Sequence, residues 1–133
     1  REELCGGPPR VRHDGSEVSL AFDGYQRFDG IRTVTRSWRL AESALGVTDE
    51  VDGITAVTLK RTLHVSLPVH EEGNGVILQG RNHRYRITSS DVAPAISSRS
   101  IWQAYGVPIP GSRIVFETSA KLPWAGSIMI EVI

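Results

Sequence analysis

With one cysteine in 133 residues, the chain cannot form an internal disulfide. That residue, Cys5, lies in the Gly/Pro-rich stretch Cys5-Gly6-Gly7-Pro8-Pro9 and reads as a thiol in a loose terminus, not a nucleophile or ligand. No apolar run approaches the roughly 18 residues that would cross a bilayer as a helix. No charged-then-apolar leader opens the chain, and no segment carries the pattern of an amphipathic helix of three turns or more. A formal net charge of zero argues against nucleic-acid binding through a strongly basic surface. There is no Gly-x-Ser-x-Gly elbow, no Walker loop and no dinucleotide fingerprint. His13, His64, His70 and His83 fall at spacings that match no ligand motif, even with Glu71 or Glu72 added, so neither a metal nor a cofactor is expected.

What is present is turn chemistry and alternation. Asp14-Gly15, Asp23-Gly24, Asp29-Gly30, Asp52-Gly53 and Asn74-Gly75 punctuate the chain with dipeptides that accept positive φ. Between them run period-two segments. Val18, Leu20 and Phe22 share a face. Val57, Leu59, Leu63, Val65 and Leu67 share another, opposite Thr58, Lys60, Thr62, His64 and Ser66. Val76-Ile77-Leu78 and the strand from His83 to Ile87 form a hairpin turning at Gln79 to Asn82, with His83 opposite Leu78. Ile114 to Thr118 and Ser127 to Ile133 complete the set. The expectation is an all-β fold, an antiparallel β-sandwich of about eight or nine short strands. It forms one domain over 1–133 with 1–12 as a flexible leading segment. Because the chain opens on Arg1 rather than Met, it is read as a processed or excised piece of a longer protein.

One pair of strands carries charge on its apolar face. In Thr33 to Leu40, Val34, Trp38 and Leu40 share a side with Arg36; in Leu45 to Val51, Leu45, Val47 and Val51 share a side with Asp49. A four-residue loop, Ala41 to Ala44, sets Leu40 opposite Leu45, Trp38 opposite Val47 and Arg36 opposite Asp49. A slip of one residue would turn the apolar set to water. Arg36 and Asp49 are therefore predicted to form a structural ion pair inside a β-hairpin, while Arg39 faces solvent.

Phe22-Asp23-Gly24-Tyr25-Gln26-Arg27-Phe28, then Arg36, then Asp49-Glu50, resembles the C-terminal β-domain of heparinase II/III-like polysaccharide lyases. The closing stretch, from Tyr105-Gly106-Val107 through Leu122-Pro123 to Ile128-Met129-Ile130, is similar to the end of that domain. The resemblance implies a β-sandwich module supporting an upstream catalytic helical domain of the same parent chain. It further implies that the parent degrades acidic polysaccharide, such as a glycosaminoglycan, by β-elimination, and that it is periplasmic or exported. The family's His-containing metal and catalytic stretch has no counterpart here, so no catalytic residue is carried over and the fragment alone is expected to be inactive.

Candidates for substrate binding are Tyr25 and Arg27, after the Asp23-Gly24 turn, and Arg84 and Arg86, which share the face of their strand that Tyr85 and Ile87 do not occupy. The basic residues are thirteen Arg against two Lys, and the guanidinium fork suits carboxylate and sulfate. The same residues also read as packed or solvated side chains in structural ion pairs. Trp38 is assigned to the hairpin core, whereas Trp102 and Trp124 flank loops, as a stacking platform or as plugs of a sandwich end. An alternative function is a stand-alone carbohydrate-binding or protein-interaction sandwich. Bare sheet edges would further permit edge-strand association of the fragment.

Overall fold

The computed structural model describes residues 7–133, so the reading of Cys5 lies outside the described residues. Eleven antiparallel strands make two sheets: β1 (Arg10–Asp14), β2 (Glu17–Phe22), β3 (Ile31–Leu40), β4 (Ala44–Gly53), β5 (Ala56–Val65), β6 (Val69–Glu72), β7 (Gly75–Gln79), β8 (Arg84–Ser89), β9 (Ala95–Ala104), β10 (Val107–Lys121) and β11 (Trp124–Val132). The large sheet runs β1-β2-β3-β4-β11-β8-β7-β6 and the small one β5-β10-β9. The all-β sandwich is as expected, but the described residues form eleven strands rather than eight or nine.

Three strands account for the difference. β1 takes residues 10–12 out of the leading segment and pairs with β2, Val11 opposite Leu20. β6 follows Pro68, where no apolar alternation marks a strand, and pairs His70 with Ile77. β9 pairs along β10 from Ala95 to Ala104, where Ser97, Ser98 and Ser100 interrupt any apolar alternation. Pro108 and Pro110 sit in β10 but beyond the reach of β5, whose last pair is Val65 with Ser112. Both pair with β9, but by alternation from Leu122, whose N–H points to Thr55, their nitrogens face the side beyond β5, so the missing N–H groups cost no ladder bond.

The β3–β4 hairpin takes the expected register, with Arg36 opposite Asp49, Trp38 opposite Val47 and Leu40 opposite Leu45; Ala41 N–H closes the loop on the Ala44 carbonyl at 2.8 Å. The β7–β8 hairpin is shifted by two residues. Leu78 pairs with Tyr85, not His83, because Gly80 N–H bonds the His83 carbonyl and keeps His83 in the turn. The shift is even, so every side chain keeps its predicted face.

The core lies where the small sheet covers the large one. Val76, Leu78, Ile87 and Ile128 pack against Ile114 and Phe116 of β10. Beyond that cover the large sheet continues through β3, β2 and β1, and none of the buried hydrophobic residues comes from those three strands. Trp38, assigned to the hairpin core, sits on this open part and is only half-buried.

Candidate functional site

β4 leaves the large sheet and β5 begins in the small one after only Ile54 and Thr55. That short corner places β5 above β4 and β11, with a cavity of about 670 Å³ between its first half, the open part of the large sheet and the turn before β3. The floor carries Val34, Arg36, Asp49 and Val51, and Tyr25, Phe28 and Trp124 supply aromatic walls.

Arg36 holds Asp49 in two hydrogen bonds, Nε donating to Oδ1 at 2.6 Å and Nη2 to Oδ2 at 3.0 Å. The two ends differ in environment: the Asp49 side chain is 7% exposed and that of Arg36 42%. The hydrogen bond to Asp49, opposed by partial burial, raises the pKa of Arg36 above its usual value. Arg39, on the other face, is open to water, with Nε 3.7 Å from Glu17.

The Asp23-Gly24 turn builds the rim. Gly24 to Arg27 form one 3-10 turn. The Asp23 carboxylate accepts from Arg10 of β1 at 2.7 and 3.2 Å and from Thr33 Oγ1 of β3 at 2.7 Å. These bonds, that from Arg10 first, hold its pKa below the ordinary value. The Phe22 ring lies across Gly24, where a side chain would collide with it. Tyr25 meets Phe22 edge-on at 6.0 Å and stacks with Phe28 at 6.4 Å, and Arg27 lies 4.9 Å above the Phe28 ring. Tyr25 and Phe28 nevertheless stay 44% and 50% exposed. This leaves a short aromatic row beside a half-exposed guanidinium.

A second ion pair ties the two sheets together. Arg61 of β5 is 5% exposed; its Nη2 donates to Asp91 at 2.6 Å and to Ser89 at 3.3 Å. Asp91 also accepts from Ser89 Oγ at 2.6 Å and Thr118 Oγ1 at 2.8 Å. Burial raises the Asp91 pKa, but the bonds from Ser89, Thr118 and Arg61 together outweigh it and hold the group below its ordinary value. Nε and Nη1 of Arg61 have no hydrogen-bond partner. Their charge instead lies over the rings of Trp124 and Phe116, at 5.0 and 5.7 Å, a cation–π arrangement that offsets part of the desolvation. Arg61 escaped the sequence reading although the signal was the one that found Arg36: it sits between Leu59 and Leu63 on the apolar side of its strand.

The four predicted binding residues do not converge. Tyr25 and Arg27 lie at the cavity end of the open sheet. Arg84 and Arg86 lie on β8, and the register from Arg86 through Glu131 to Ala44 puts them on the opposite face from Arg36 and Asp49. Arg86 is engaged with Glu72 at 3.2 Å. Trp124 packs under Arg61, whereas Trp102 is 64% exposed near the tip of the β9–β10 hairpin. Among the described residues no helix is long and apolar enough to cross a membrane, which says nothing of a β-barrel.

No family profile matches the sequence, and no curated protein does. The fold has solved counterparts. Heparan sulfate lyase HepC from Pedobacter heparinus superposes with a TM-score of 0.76 over 93% of this chain at 14% identity, and a mutant of that enzyme with 0.72 at the same identity and coverage. The matched segment is 21% of the lyase chain, so this chain spans about a fifth of its length. The fold is thus that of a domain of a heparan sulfate lyase.

Proposed function

We propose that the chain is the C-terminal β-sandwich module of a heparinase II/III-like enzyme that degrades acidic polysaccharide by β-elimination. The observation that carries this reading is the superposition of 93% of the chain on a segment of a heparan sulfate lyase. The role is support of an upstream helical catalytic domain, with the Tyr25 and Arg27 rim turned toward the glycan cleft. Elimination requires a cation or donors at the uronate carboxylate, a base for the adjacent proton and an acid for the leaving oxygen. Tyr25 and Arg27 are of the right chemical type for the first of these tasks. Arg84 and Arg86, on the other face, belong to a separate surface.

Incubation of this chain with heparan sulfate and other uronate-containing polysaccharides tests the supporting role. No unsaturated uronate should form, while the parent polypeptide should release it. Product from the chain alone would overturn the supporting role. A parent without a helical catalytic region would overturn the family reading.

A further inference from the structure

The two sheets differ in width: eight strands face three. On β1, β2 and β3 the register puts Val11, Leu20 and Arg36 in one row and His13, Val18 and Trp38 in another, all on the inward face. The outward rows of the same strands hold Arg12, Ser19 and Ser37, and Arg10, Ala21 and Thr35. A sheet that is polar on one side and apolar on the other normally packs a second layer on the apolar side. Here the inward face lies open, with Val11 64% and Val18 37% exposed.

Beside that face, β5 pairs among the described residues only with β10 and has a free edge. The Thr55 carbonyl accepts from Leu122 N–H at 2.8 Å, so the backbone groups of Thr55 point toward β10. By strand alternation, those of Ala56, Thr58, Lys60 and Thr62 point away from it, over the cavity. An unpaired edge next to an uncovered apolar face is a slot for further strand.

We propose that a β-strand segment of the same polypeptide, from outside residues 1–133, pairs with the free edge of β5 and roofs β3, β2 and β1. This rests on the longer-chain part of the reading above and not on its lyase chemistry. The three uncovered strands span about 14 Å, room for two or three added strands. The segment should alternate, with apolar side chains against Phe22, Val34 and Trp38. It should also bring one acceptor over Arg36, whose Nε and Nη2 are committed to Asp49 and whose Nη1 would otherwise be buried without a partner. Two observations favour a covalently attached occupant over a second copy. The lyase chain that shares this fold runs well beyond the matched fifth. And two copies joined antiparallel through β5 would drive both overhanging large sheets into one layer on the same side.

Amide hydrogen exchange on residues 1–133 and on the parent polypeptide tests the proposal. In the fragment the outward amides of Thr58, Lys60 and Thr62 should exchange quickly at every protein concentration. In the parent they should be slowed on the order of a hundredfold or more, and Trp38 fluorescence should shift to the blue. Equal, rapid exchange in both would overturn the proposal. So would protection in the fragment that fades on dilution, which would identify a second copy as the occupant. Elimination activity does not enter this readout, so the strand and the lyase assignments fail separately.

Discussion

Ile87 and Leu20 hold equivalent positions, each in mid-strand on the inward face of the large sheet. Ile87 lies beneath Ile114 and Phe116 and is 1% exposed. Leu20 has no strand above it among the described residues and is only half-buried. Both were encoded by the same period-two pattern. The pattern specifies which way a side chain points; burial depends on whether a second layer reaches it. In the covered half, hydrophobic packing fixes the two sheets against each other. In the open half, polar connections take over: Asp23 with Arg10 and Thr33 at the rim, and Arg36 with Asp49 on the floor.

The sharpest way to break that contrast is truncation on each side. Ile87→Ala should cost about 3–4 kcal/mol in urea unfolding, the range for emptying a closed site, against about 1 kcal/mol for Leu20→Ala. Equal losses would show that the open face is covered after all.

The sheet-to-sheet staple comes next. Asp91→Ala should destabilise by about 3 kcal/mol, because the buried Arg61 guanidinium loses its only anionic acceptor among the described residues and keeps just the long bond to Ser89, whereas Arg61→Met should cost less, since Asp91 keeps Ser89 and Thr118. The reverse order in thermal melts would mean that Arg61 is held by its aromatic neighbours alone.

Within the open half, Arg36→Leu should cost about 2 kcal/mol, below the range for fully buried pairs, because Asp49 is buried but Arg36 is half in water. Arg39→Leu, with its side chain 75% exposed, should stay within about 0.5 kcal/mol. Denaturant midpoints that coincide for the two would contradict the hairpin geometry.

The smallest effect is in acid. The folded pKa of Asp91 is depressed from the ordinary 3.8. Its contribution is therefore complete above the unfolded value and disappears as pH falls through the lower folded one. Asp91→Asn should flatten that part of the stability curve below about pH 4. An unchanged acid limb would remove Asp91 from the linkage.

The β3–β4 hairpin was legible because loop length and parity agreed: four residues between two apolar alternations left one register in which Arg36 and Asp49 met. The β9–β10 hairpin was not, since serines and prolines erased the apolar period that would have marked it. Arg61 carried a readable signal but lacked an opposing charge in a neighbouring segment; its partner Asp91 lies in a connection, where alternation says nothing. The candidate site was half visible. Tyr25 was singled out from its turn and Arg36 as the partner of Asp49, but that both line one cavity could not be read from either segment. Separating Arg84 and Arg86 from them required the strand order, which places β4 and β11 between β3 and β8, and short-range periodicity contains no such information.

The pairing of Arg36 with Asp49 closes a span of only 13 residues, while Arg61 and Asp91 are 30 apart, and Asp91 lies in the connection from the large sheet to the small one. Loop closure is cheaper over the shorter span, and contacts near in sequence form sooner. The β3–β4 ribbon can therefore settle its alignment while the rest of the chain is still unfolded. It then offers a finished edge on which β2 and β11 can assemble, so that the slowest event is the closing of one layer over the other.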